Sequence, residues 1–166
     1  KSIDRHEAIL LRMCRRVLDL PLDEDSGIRR GDGEPIQQPV TEAINHPVGH
    51  VAQALINLWL KREPNDGDRL PGNIGPLFAQ LCDVRVRRFR HGRVLLASQL
   101  ITLFRVDRPW AEQYLLPRFD WTSEPMEAKA AWEGFLWSPR LYQPLLLAFK
   151  PQFLETARHY AELGEH

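Results

Sequence analysis

Prolines cut this sequence into short lengths of helical periodicity, and that alternation constrains the fold more than any other feature. The segment Ile3–Leu20 carries apolar residues at Ile3, Ile9, Leu10, Met13, Cys14, Val17 and Leu18, one stripe at helical spacing, with Ser2 or Asp4 as a cap and Pro21 as a stop. Helix resumes at Asn45-His46-Pro47, because proline suits a first turn whose N–H groups have no intrahelical partner. Val51, Leu55, Leu58 and Trp59 then trace one face. The same logic starts helices at Pro125, behind a Ser123 cap, at Ser138-Pro139, kinked or split at Pro144, and at Pro151. Asp107 caps a short helix that carries Trp110 and Tyr114 and ends at Pro117.

Between Val84 and Val106 the pattern is mixed. "VRVRRFR" alternates like a strand, yet Val86, Phe89, Arg93, Leu96, Leu100 and Leu103 extend a helical stripe, and about twenty residues broken only by Gly92 favour helix. The expected fold class is therefore all-α, an irregular array of about six to eight helices. Short connections make successive helices antiparallel neighbours, which gives the stacking of an α-solenoid of the HEAT kind, although no repeat of fixed period is visible. The chain divides into an N-terminal helix (1–20), a long loop or linker (21–41) and a helical array (42–166), one domain overall. A loop of about twenty residues inside a compact domain marks a linker or a functional segment. Lys1 at the start and a last helix running to His166 both read as cuts from a larger protein.

Charge and cysteine content exclude several classes. Lys plus Arg equals Asp plus Glu, at 22 each, so bulk electrostatics steer the chain toward neither nucleic acid nor acidic membranes. Apolar runs such as Leu145–Phe149 fall far short of a membrane span. Two distant cysteines, Cys14 and Cys82, make neither a disulfide framework nor a zinc set, which favours a reducing, cytoplasmic setting.

Three constellations bear on chemistry. Glu42, His46 and His50 stand at four-residue steps, a usable zinc spacing, but Pro47 starts a new helix between them, and His46 reads better as a cap. Arg85, Arg87, Arg88, Arg90, His91 and Arg93 form the strongest charge cluster, either a partner-binding surface, with phosphate backbones as one partner class, or an ion-paired face. Trp110, Trp121, Trp132 and Trp137 read chiefly as core, with Trp110 the one expected to be partly exposed. Ser98 has no His or Asp at helical spacing, and neither "GDG" (31–33) nor "GNIG" (72–75) has the strand-before, helix-after setting of a nucleotide loop. These readings imply no catalytic residue, no cofactor and no metal. The candidate partner-binding residues are Arg85, Arg87, Arg88, Arg90, Arg93 and Trp110.

The phrases "AINHPVGHVAQALINLWLKREPNDG" (43–67), "FRHGRVLLASQLITLFRVDRPW" (89–110) and "AAWEGFLWSPRLYQPLLLAFKPQF" (130–153) resemble a bacterial domain of unknown function from the C-terminal region of large sirtuin-like proteins. The resemblance covers 42–166. It implies a parent with an N-terminal NAD-degrading domain and a role in anti-phage defence, where the helical region senses an invader or holds the assembly. None of the sirtuin machinery lies in this chain, which has no glycine loop after a strand. The expected function is accordingly a non-catalytic recognition or assembly domain, with a protein or other domains of the parent chain as partner. A nucleic-acid-binding module built on Arg85–Arg93 is the alternative, and a metal-dependent hydrolase around His46 and His50 the third reading.

Overall fold

The computed structural model describes residues 2–29, 31, 33, 38–138 and 140–163. Among them there is no β-strand, and the fold is all-α. The long helix α1 (Ser2–Asp19) is followed by the connection to α2 (Pro39–Asn45), then α3 (Pro47–Leu60) and α4 (Gly75–Leu81). A 3-10 turn at Arg87–Phe89 leads into α5 (Arg90–Ser98) and α6 (Leu100–Val106). Next come the single turn α7 (Arg108–Trp110), a π turn (Ala111–Leu115) and a 3-10 turn (Leu116–Phe119). The chain finishes with α8 (Pro125–Leu136), α9 (Gln143–Ala148), α10 (Lys150–Thr156) and a 3-10 turn (Ala157–Glu162). No helix is long and apolar enough to cross a membrane among the described residues.

Helix α5 is the hub. Seven consecutive residues, His91 to Ala97, are buried, which a helix achieves only when it is covered all round. Its neighbours are α2, α3, α4 and α8. The approach of α8 is close because Gly134 has no Cβ: one added there would lie 2.3 Å from the Val94 carbonyl oxygen. A second core region joins Phe119, Trp132, Phe135 and Phe149, with Trp132 stacked on Phe149 at 5.2 Å and edge-on to Phe119 at 5.0 Å. Trp132 Nε1 donates to the Phe119 carbonyl at 3.1 Å, so the ring is buried without an orphaned donor.

Proline sets the helix starts as the sequence implied, with differences at three boundaries. Pro39 opens a helix inside the stretch read as loop to Thr41, so α2 precedes α3. The run from 84 to 106 is not one helix. Asp83 caps a turn by accepting the Arg85 N–H, and the chain breaks again at Gln99, beside Ser98, whose hydroxyl donates to the Leu95 carbonyl at 2.7 Å and competes with the helical ladder. Ser123 is not the cap of α8; Glu124 holds that position, and the Ser123 hydroxyl bonds Asp120. Pro144 lies in the first turn of α9, so the chain is split there rather than kinked, and Pro139 is outside the described residues. Asp107 does cap its helix, accepting from the Trp110 N–H at 3.2 Å while its other oxygen accepts from Leu70 N–H at 3.0 Å. The α1 stripe is rotated from the expected one: Leu11, Cys14 and Leu18 are buried, whereas Ile9 and Met13 are exposed.

Candidate functional site: a charged cavity walled by three helices

A cavity of about 330 Å³ opens where α2, the start of α5 and the start of α8 meet. Its polar lining consists of Glu42 from α2, Arg90 and His91 from α5, and Lys129 from α8. Pro39, Val94, Met126 and Ala130 complete the wall. The α2 helix covers the α5–α8 groove. Glu42 faces this cavity, while Val40 and Ile44 on the other side of α2 line a second one of about 300 Å³ with Ser98, Gln99 and Trp137.

A buried ion network stands behind the first cavity. Arg93 Nε donates to Glu127 Oε2 at 2.8 Å and Arg93 Nη2 to Glu127 Oε1 at 3.0 Å, a two-point pair. Arg93 Nη1 donates to the carbonyls of Leu81 and Asp83, at 3.0 and 2.9 Å. Arg90 Nε reaches the same carboxylate at 2.7 Å. Burial pushes the Glu127 carboxyl up, but the bonds and charge of Arg93, then of Arg90, outweigh it and hold the group below its ordinary range. Because Arg90 uses Nε for this contact, its terminal nitrogens bear no hydrogen bond among the described residues, and a third of the side chain is exposed at the cavity.

Glu42 is the unbalanced group. No hydrogen bond or ion pair reaches its carboxylate from the described residues. Burial raises its pKa, Arg90 at longer range lowers it, and Asp25 and Glu133 raise it again, so it is less acidic than an ordinary glutamate. Lys129 Nζ stands 3.8 Å from Glu133.

Beside the cavity two imidazoles stack, His46 on His91, with centroids 4.0 Å apart. His46 accepts the Val48 N–H at Nδ1 and thus caps α3, which places its proton on Nε2, donating to the Asp23 carbonyl at 2.9 Å. His91 Nε2 donates to the Glu24 carbonyl at 2.6 Å. Together they fasten the stretch after α1 to the hub helix. His50 donates to the Ile44 carbonyl, so the zinc spacing of Glu42, His46 and His50 resolves into two backbone contacts and one cavity carboxylate. Among the described residues no group of three or more His, Cys, Asp or Glu could hold a metal.

The arginine cluster divides by depth. Arg93 is 1% exposed, and Arg88 donates to the Leu18 carbonyl at 3.2 Å and lies over Phe89. Arg85 and Arg87 are exposed, each beside a carboxylate, Asp83 at 2.7 Å and Glu24 at 3.8 Å. Trp110 is buried, tilted against Phe78 and Tyr114, and the exposed tryptophan is Trp137. A partner meeting this face would therefore touch Arg85 and Arg87, not Arg93 or Trp110. Sequence reading passed over Glu127 and Lys129. Glu127 had a signal, since it falls on the same stripe as Ala128, Ala131 and Phe135, whereas Lys129 had none.

Comparison with known protein families, curated proteins and solved structures gives no match.

Proposed function

We propose that the chain is a non-catalytic recognition or assembly domain that docks its last helices onto a protein surface, either a separate partner or another domain of its parent. The observation that carries this reading is a concentration of exposed apolar side chains late in the chain. Trp137, Leu141, Leu147, Phe153, Leu154 and Tyr160 are all exposed, Leu141 by 85% and Tyr160 by 80%. A soluble domain rarely presents so much apolar surface in so short a stretch without something to cover it. HEAT-like stacking would enter at this level, with α9 and α10 meeting the next helices of a longer array. Within the chain, α5 enclosed by α2, α3 and α8 supports one closed unit. The bacterial and defence setting, with a sirtuin-like effector elsewhere in the parent, rests on the three resembling phrases alone, and the cytoplasmic setting on the two distant cysteines.

The nucleic-acid alternative has less support, because three of the five arginines are engaged inside the protein and the other two sit beside carboxylates. The hydrolase reading has less still, since His46 and His50 are bonded to backbone.

A nuclease-treated pull-down from bacterial lysates, with and without phage, tests the reading when run with wild type and with Leu147→Asp and Leu154→Asp. Both positions are exposed, so the variants should fold. The expected result is a partner held by wild type and lost by the variants. Equal capture by all three would overturn the apolar face, and binding to oligonucleotides that falls steeply with salt would favour the alternative.

A further inference from the structure

The cavity between α2, α5 and α8 has a polarity of its own that the docking face does not use. Its positive side is made by the terminal nitrogens of Arg90, which bear no hydrogen bond among the described residues, and by the Lys129 ammonium, 3.8 Å from Glu133. Its negative side is the Glu42 carboxylate, which lacks a direct partner among the described residues. Pro39, Val94 and Met126 supply an apolar wall between them. A half-buried charge without a partner is costly, and a ligand that supplies the counter-charge removes that cost.

Each simpler ligand fails on one of these groups. A metal cation would meet one lining carboxylate, Glu42, and two lining cations, Arg90 and Lys129. A phosphate or other polyanion would suit Arg90 and Lys129 but press against Glu42. A purely apolar molecule would desolvate all three charges. About 330 Å³ is also at the small end of ligand cavities, suited to a compact molecule rather than a nucleotide or a length of peptide.

We infer that this cavity binds a free α-amino acid: its carboxylate between Arg90 and Lys129, its ammonium on Glu42, and an apolar side chain against Pro39, Val94 and Met126. The site is independent of the docking face, because it shares no residue with it. The buried Arg93–Glu127 pair fixes Arg90 from behind, so the guanidinium is already aimed when the ligand arrives. A peptide C-terminus would offer the same carboxylate but only an amide in place of the ammonium, and the test separates the two sources.

Isothermal titration calorimetry of the chain with each proteinogenic amino acid at millimolar concentration gives the first result. The best binder is then repeated as its N-acetyl form, which lacks the ammonium, and as its carboxamide, which lacks the carboxylate. Saturable binding of at least one apolar amino acid is expected, with each modified form weaker by about tenfold or more, the effect of losing one charged contact. Glu42→Gln should weaken the free amino acid by a similar factor yet leave the N-acetyl form unchanged. Lys129→Met should do the reverse for the carboxylate, weakening free and N-acetyl forms alike. Absence of binding by every amino acid overturns the inference. An N-acetyl form that binds as tightly as the free one overturns the role of Glu42 and turns the site into one for chain termini. The ligand analogues need no folded variant, so the inference stays open to refutation even if a substitution unfolds the protein.

Discussion

Arg93 and Glu127 meet inside the core as a two-point ion pair, with both side chains at most 5% exposed, where α5 crosses the start of α8. The pair joins the hub helix to α8, the neighbour it packs against most extensively, and Arg93 also satisfies the last carbonyls around α4. Removing Glu127 strands the Arg93 guanidinium in low dielectric, and removing Arg93 leaves the buried Glu127 carboxylate with Arg90 alone. We expect Arg93→Leu and Glu127→Leu each to cost about 3–5 kcal/mol in urea or guanidinium denaturation. The double variant should cost less than the sum, because the one cation left without its acid, Arg90, is a third exposed rather than buried. Additivity of the two losses would show that the pair does not act as a unit. Arg85→Ala, at the exposed end of the same basic run, should leave the denaturation midpoint unchanged.

His91, stacked on His46, makes stability depend on pH in a window that begins above the ordinary carboxylate range. Burial pushes His91 down to about 4, the Glu24 carbonyl opposes this, and His46, Arg90 and Arg93 add to the lowering. Between about 6.5 and about 4 the unfolded chain binds a proton at this position that the folded chain refuses, so stability falls as pH falls through that window. The full effect is on the order of 3 kcal/mol, and Glu127, held low by its arginines, adds a further loss as pH drops past the ordinary glutamate value near ~4.3. Unfolding curves at successive pH values would check this. His91→Gln should flatten the slope between pH 6.5 and 4, and an unchanged slope would assign it to other groups.

Which parts of this were readable beforehand follows from the kind of signal each carries. Pro47, Pro125 and Pro151 mark helix starts because the ring fixes the backbone locally, and no tertiary contact is needed to see it. His46 as a cap was readable for the same reason. Arg93 was legible too, since it occupies the buried stripe between Phe89 and Leu96, but the four neighbouring arginines favour a surface reading. What decides its place is Glu127, 34 residues away, and a pair across that separation leaves no periodic trace. The cavity was hidden for the same reason: Glu42, Arg90 and Lys129 converge only when three helices pack. The burial of Trp110 leaves no trace in the sequence, because its position beside Arg108 in a first turn says nothing about Phe78, against which it lies.

Close packing of α8 on α5 makes Gly134 sensitive to a single methyl. A Cβ there would meet the Val94 carbonyl oxygen at 2.3 Å and its carbon at 3.0 Å, both backbone atoms that cannot rotate away. Gly134→Ala should therefore cost about 3 kcal/mol, despite the helix propensity that alanine gains. Gly72→Ala is the control: a Cβ there has nothing within 4 Å, and stability should stay within about 0.5 kcal/mol. Equal effects at the two positions would mean that α8 can slide away from α5 without loss.

Both thiols should be silent in the native protein. Cys14 faces inward from α1 and Cys82 closes α4, at 3% and 6% exposure, and neither is in a disulfide. Burial raises Cys14, and it drives Cys82 up to about 12 even though Arg93 and Arg118 pull the other way. The reactive thiolate is then scarce at pH 8, and the reagent has no path to it. Labelling with a disulfide-exchange reagent at pH 8 should be slow for both residues in the folded chain and immediate in guanidinium. Rates in the native state that track the unfolding equilibrium across denaturant would confirm that opening of the core controls access. Fast labelling of Cys14 alone would mean instead that α1 separates from the body by itself, leaving the α5 hub intact.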